Sequence, residues 1–94
     1  MQVIFSPAAE QDLEDIGDYI ARDNPARALT FIREIREHCR SIVIAPRAAP
    51  LWPELGDNIR MVPHGRYLIL YSLLDDTVRV ERVLHGARDR RGFS

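Results

Sequence analysis

The stretch RVLHGARDRRGFS, residues 82–94, gathers the side chains of this chain whose types and spacing can do chemistry: Arg82, His85, then Arg88, Arg90 and Arg91 around Asp89. A histidine titrates near neutrality, so His85 is a candidate general acid or base, and guanidinium groups stabilise charge developing on a phosphorane. Together with Arg60 and Arg66, these residues have the makings of a phosphodiester-cleaving set. They also have a plainer reading. A histidine just before glycine at a strand end is commonly a turn residue bonded to backbone, and a short arginine run with an acid inside it is commonly a solvated end. All thirteen basic residues are arginine and none is lysine, so any cationic role falls to a group that hardly ever deprotonates.

Charge narrows the classes further. Net charge is −1, and residues 1–25 carry Glu10, Asp12, Glu14, Asp15, Asp18 and Asp23 against Arg22 alone, giving −5. The remaining residues hold twelve arginines against eight acids, giving +4. The chain therefore has an acidic end and a basic end, and too little positive surplus for tight nucleic-acid binding through many phosphates. Cys39 is a single cysteine, and His38, His64 and His85 lie at no zinc-ligand spacing, so neither an internal disulfide nor a metal or other cofactor is expected. Ninety-four residues suit one domain spanning 1–94. With no long apolar run and no signal-peptide pattern, the expectation is a soluble cytoplasmic protein.

The elements that must position these residues are written plainly. Ser6-Pro7 and Asn24-Pro25 each place a capping oxygen before a proline at the first helical position. Ala9, Leu13, Ile16 and Ile20 then recur as one seam, and Ala28, Ile32, Ile35, Cys39 and Ile42 as another. The short link RDNP predicts an antiparallel helical hairpin with both seams on one side. VIF (3–5) reads as a strand ahead of it, and the Pro-rich 45–57 as a connection that is neither helix nor central strand. Three strands follow at 58–63, 66–74 and 77–85, with His64-Gly65 and Asp75-Asp76 as turns. The expected fold class is α+β, in the order β-α-α-β-β-β, with the hairpin packed on a mainly antiparallel sheet.

Two details of that sheet bear on function. In RYLILYSLL both alternating sets are apolar, so both faces should be covered, the hairpin supplying one cover and a partner the other. Leu68 and Leu70 are thereby partner-contact candidates, as is Trp52, which is either a lid on the core edge or an interface anchor. Strict alternation in the last strand groups Arg82 with Val78, Val80 and Leu84, its stem on the core and its head paired with an acid. His38 and His64 read as surface residues.

The order of pieces resembles the ParE branch of the RelE/ParE toxin superfamily. The resemblance spans nearly the whole chain, and rests on AEQDLEDIGDYI (9–20), on NPARA (24–28) and on RVLHGARD (82–89). It implies a toxin of a bacterial type II toxin–antitoxin pair, neutralised by a ParD-like antitoxin from the adjacent gene. ParE-type members poison DNA gyrase, whereas RelE-type members cleave messenger RNA on the ribosome; fold alone does not choose between them. The expectation is a non-enzymatic gyrase inhibitor with Arg88, Arg90 and Arg91 as target-contact candidates. The antitoxin should fold a disordered, helix-forming tail onto an apolar groove. The alternatives are an mRNA interferase, whose catalytic residues would be Arg60, Arg82 and His85, and a relict acting only in complex assembly.

Overall fold

In the computed structural model, which describes residues 1–89, the chain runs as strand β1 (Gln2–Phe5), helices α1 (Pro7–Ala21) and α2 (Pro25–Ser41), then strands β2 (Arg60–His64), β3 (Tyr67–Leu74) and β4 (Thr77–His85). Both helix starts follow from their caps. The Ser6 hydroxyl accepts from the Ala9 N–H at 2.9 Å and the Asn24 side chain from the Arg27 N–H at 3.0 Å, with proline next in each case. The link turns at once, because the Asp23 and Asn24 N–H groups both bond the Ile20 carbonyl.

The sheet order is β1-β4-β3-β2, antiparallel except that β1 runs parallel to β4. The β2–β3 turn falls on Gly65, at φ 59°, and Arg66, leaving His64 within β2; the β3–β4 turn uses Asp75 at φ 52°, a conformation Asp tolerates. The hairpin's seams meet one sheet face, where Ile35, Cys39, Ile69, Tyr71, Val78 and Val80 are fully buried. Between α2 and β2 the Pro-rich connection forms only two short 3-10 turns and a bridge from Leu51 to Arg60. Two side chains from the sheet pin it: Tyr71 donates to the Pro46 carbonyl at 2.7 Å, and Arg60 to the carbonyls of Arg47 and Ala49 at 3.2 and 2.6 Å.

One irregularity reshapes β4. Leu70 pairs with Arg82 but Tyr71 with Val80, so Glu81 is an extra residue, a β-bulge. Its carbonyl accepts from the Ser6 hydroxyl at 2.7 Å, and the Ser6 N–H bonds the Val80 carbonyl at 2.9 Å. The residue that caps α1 thus also holds the bulge. Beyond it the alternation changes phase: Val83, not Arg82, joins Val78 and Val80 in the core, and Arg82 lies across from Leu70 beside Leu84. The alternation-based placement of Arg82 is corrected accordingly. No helix among the described residues is long and apolar enough to cross a membrane.

Candidate functional site

β1 pairs only with residues 77–80 of β4, leaving the rest of that edge without a strand. α1 closes it. The Asp12 carboxylate accepts from the Val83 N–H at 2.9 Å and from the Arg82 guanidinium at 2.7 and 2.9 Å, so the Arg82 head does pair with an acid. Asp12 is the better-covered partner, at 12% side-chain exposure against 46% for Arg82.

Past the strand, residues 85–89 form a docked turn rather than a free end. The His85 Nδ1 accepts from the N–H groups of Ala87 and Arg88 at 3.2 and 3.1 Å, which requires the hydrogen of a neutral ring to sit on Nε2. The Asp89 carboxylate returns to the His85 N–H at 2.7 Å. The Gly86 N–H bonds the Arg66 carbonyl at 2.8 Å, and a side chain there would start 3.3 Å from that oxygen, close enough that the turn and the β2–β3 hairpin would have to move slightly apart. Arg88 stacks 4.5 Å over the Tyr19 ring of α1 and donates to the Tyr67 hydroxyl at 3.4 Å, while Tyr67 packs edge-on to His85. Arg90 and Arg91 lie outside the described residues.

His38 and His64 are half-buried and face each other, Nδ1 to Nδ1 at 2.8 Å, instead of standing apart on the surface. One ring must donate and the other accept, so two cationic rings cannot coexist in this geometry. Burial, and then the neighbouring His64, hold the His38 pKa below its usual value. Phe31 packs between this pair and Tyr67, with ring centroids 5.6 Å from His64 and 5.5 Å from Tyr67. The Cys39 thiol beside them in α2 is pushed up to about 12 by burial and is inert as a nucleophile. Neither the histidine pair nor the Tyr19–Arg88–Tyr67 stack was legible beforehand, since each joins residues far apart in sequence.

Of the conditional catalytic set, only Arg82 and His85 share a neighbourhood. The register puts Arg60 opposite Tyr71 and His85 opposite Tyr67, four positions or about 13 Å along the sheet, and Arg60 is occupied with the connection. Arg82 is neutralised by Asp12. These three residues therefore do not converge on a point as base, cation and acid.

The sheet face turned away from the hairpin is more covered than its sequence predicts. Leu70 is 5% exposed, flanked by Met61 and Arg82, and Leu68 is half-buried. Ser72 is buried and donates to Glu81 at 2.6 Å, and Glu81 also pairs with Arg79, so polar side chains roof one half of the strand. Exposed apolar groups on this face sit at its margins, Ile4 and Leu74. Trp52 is 38% exposed and outside the core, so it is not a core-edge lid.

Residues 3–90 match a family model described as the ParE toxin of the type II toxin–antitoxin system parDE. Among solved structures the fold is similar to a chain of the chromosomal ParDE toxin–antitoxin system from P. aeruginosa, with a TM-score of 0.77 and 17% identity, over 90% of this chain and 95% of that one. No curated protein matches the sequence.

Proposed function

This chain belongs to the ParE toxin family of type II toxin–antitoxin systems, and from that premise we propose that it arrests growth by binding DNA gyrase, without chemistry of its own, and that a ParD-like antitoxin neutralises it. The family match over residues 3–90 carries this reading. The geometry supports its non-enzymatic part. An RNA-cleaving site needs a base, an acid and free cations around one phosphate, whereas Arg82 is spent on Asp12, Arg60 on loop carbonyls and the His85 Nδ1 on two backbone N–H groups. The turn at 85–89 presents Arg88 on a rigid support, and with Arg90 and Arg91 it remains the proposed target contact. Both partners act where the chromosome is, so the proposed location is the cytoplasm.

The test is induction of this gene without its neighbour. Growth arrest with trapped gyrase–DNA complexes and intact transcripts is the expected outcome. Arrest with cut transcripts and no trapped complexes would replace gyrase by messenger RNA as the target, and normal growth would mark an inactive relict.

A further inference from the structure

Arg88 is held in place without being neutralised. Its guanidinium lies 4.5 Å from the centre of the Tyr19 ring and donates to the Tyr67 hydroxyl at 3.4 Å, and no ion pair among the described residues involves it. Two carboxylates line the same cleft, and both are engaged elsewhere: Asp15 accepts from the Gln11 side chain at 2.9 Å and Asp89 from the His85 N–H at 2.7 Å. Arg82, also on this cleft, is by contrast compensated by Asp12. An aromatic ring takes up few of the five N–H donors of a guanidinium, so most of those of Arg88 stay available to an acceptor.

Tyr19 reaches this place because of how α1 is anchored. Asp12 ties the helix to the Val83 N–H, and Tyr19 comes two helical turns later, about 10.5 Å along the axis, where β4 has ended and the chain folds back through Gly86. The ring is 51% exposed and lies outside the core, so core packing does not account for an aromatic residue here. A second guanidinium, that of Arg22, stands 6.0 Å from the same ring. We propose that Tyr19 is a positioning residue for the target contact: its ring holds Arg88 ready, and Arg88 pairs with an acidic side chain of gyrase. The proposal rests on the gyrase reading above. An arginine loses much rotamer freedom when an interface immobilises it, and one already held on a ring loses less. The acids Asp15 and Asp89 beside Arg88 favour a single carboxylate over the many phosphates of a nucleic-acid backbone.

The experiment measures the concentration that half-inhibits purified gyrase, and the affinity for gyrase without DNA. The unaltered chain is compared with Tyr19→Phe, with two ringless variants, Tyr19→Leu and Tyr19→Gln, with Arg88→Ala, and with Tyr19→Leu combined with Arg88→Ala. Circular dichroism and thermal melts verify that each folds. Tyr19→Phe keeps the ring face and should stay within about twofold of the unaltered chain, whereas each ringless variant should lose about five- to tenfold. Arg88→Ala should lose at least as much, and the double variant no more than Arg88→Ala alone, because Tyr19 acts through Arg88. Full potency of the folded ringless variants overturns the proposal and leaves the gyrase reading standing. So does a double variant whose loss is the product of the single losses, which would make Tyr19 a contact in its own right. A loss confined to DNA-bound gyrase overturns the carboxylate as the acceptor in favour of a DNA phosphate. Full potency of Arg88→Ala removes the target contact and its support together, and absence of inhibition by the unaltered chain refutes the gyrase reading itself.

Discussion

Removing the Asp12 carboxylate should detach α1 from the free edge of β4, and the structure sets the size of the effect. Asp12→Ala deletes three hydrogen bonds, two to Arg82 and one to the Val83 N–H. The last involves backbone beside a core residue that is 2% exposed, and leaving such a donor unpaired costs about 1–3 kcal/mol. The Arg82 pair is half open to water, so it adds only about 0.5–1 kcal/mol. The sum, about 1.5–4 kcal/mol, is a large part of the roughly 5–10 kcal/mol expected for so small a domain. It lowers the melting temperature by about 8–20 °C, at about 5 °C per kcal/mol for this chain length. Arg82→Met keeps the Asp12–Val83 bond and should cost no more than about 1 kcal/mol. The assay is urea denaturation of both single variants and the double. Equal, small losses for Asp12→Ala and Arg82→Met would refute the reasoning, because they would show that the carboxylate matters only as a surface ion pair.

Three further outcomes follow from the packing. Because burial and the His64 ring hold His38 below its ordinary pKa, the unfolded chain takes up a proton below about pH 6.5 that the folded one resists, so stability falls as the solution is acidified. Glu34, itself lowered by Arg27 and facing His64, titrates at lower pH; urea midpoints at pH 7.5 and 5.5 should therefore converge in His38→Phe relative to the unaltered chain, and parallel profiles would contradict the pairing. Gly17→Ala puts a methyl in ordinary contact with Ile32 and should stabilise the fold by about 0.5–1 kcal/mol, read from thermal melts. Ser6→Ala loses both the α1 cap and the donor to the Glu81 carbonyl, and should cost about 2 kcal/mol in the same measurement.

Much of this fold is legible in local signals. The two capped helix starts, the apolar seams, the three late strands and the stop before the Pro-rich connection all follow from side chains a few residues apart, which is the range over which capping and periodicity act. What escaped depends on contacts across the chain. The bulge at Glu81 is held by Ser6, 75 residues away, and without it Arg82 falls on the wrong face. The pairing of His38 with His64 needs α2 and β2 brought together, and the covering of Leu70 needs Met61 and the stem of Arg82 beside it. At the candidate site, the backbone-bound state of His85 could be read from its place before Gly86. The docking of Arg88 on Tyr19 could not, so a truncation meant to remove only the arginine tail should begin after Asp89, not at Arg88.

The central claim is that this toxin binds gyrase and cuts nothing. Its most direct test is purified gyrase with supercoiled plasmid and ATP, titrated with this protein and with His85→Asn, whose side-chain oxygen can accept the bonds now made to Nδ1 but cannot exchange protons as imidazole does. The account predicts loss of supercoiling and accumulation of linear DNA covalently held by gyrase, the same for both proteins. Unimpaired gyrase, together with ribosome-dependent cleavage of transcripts that falls by about 10²–10⁴-fold in His85→Asn, would contradict it.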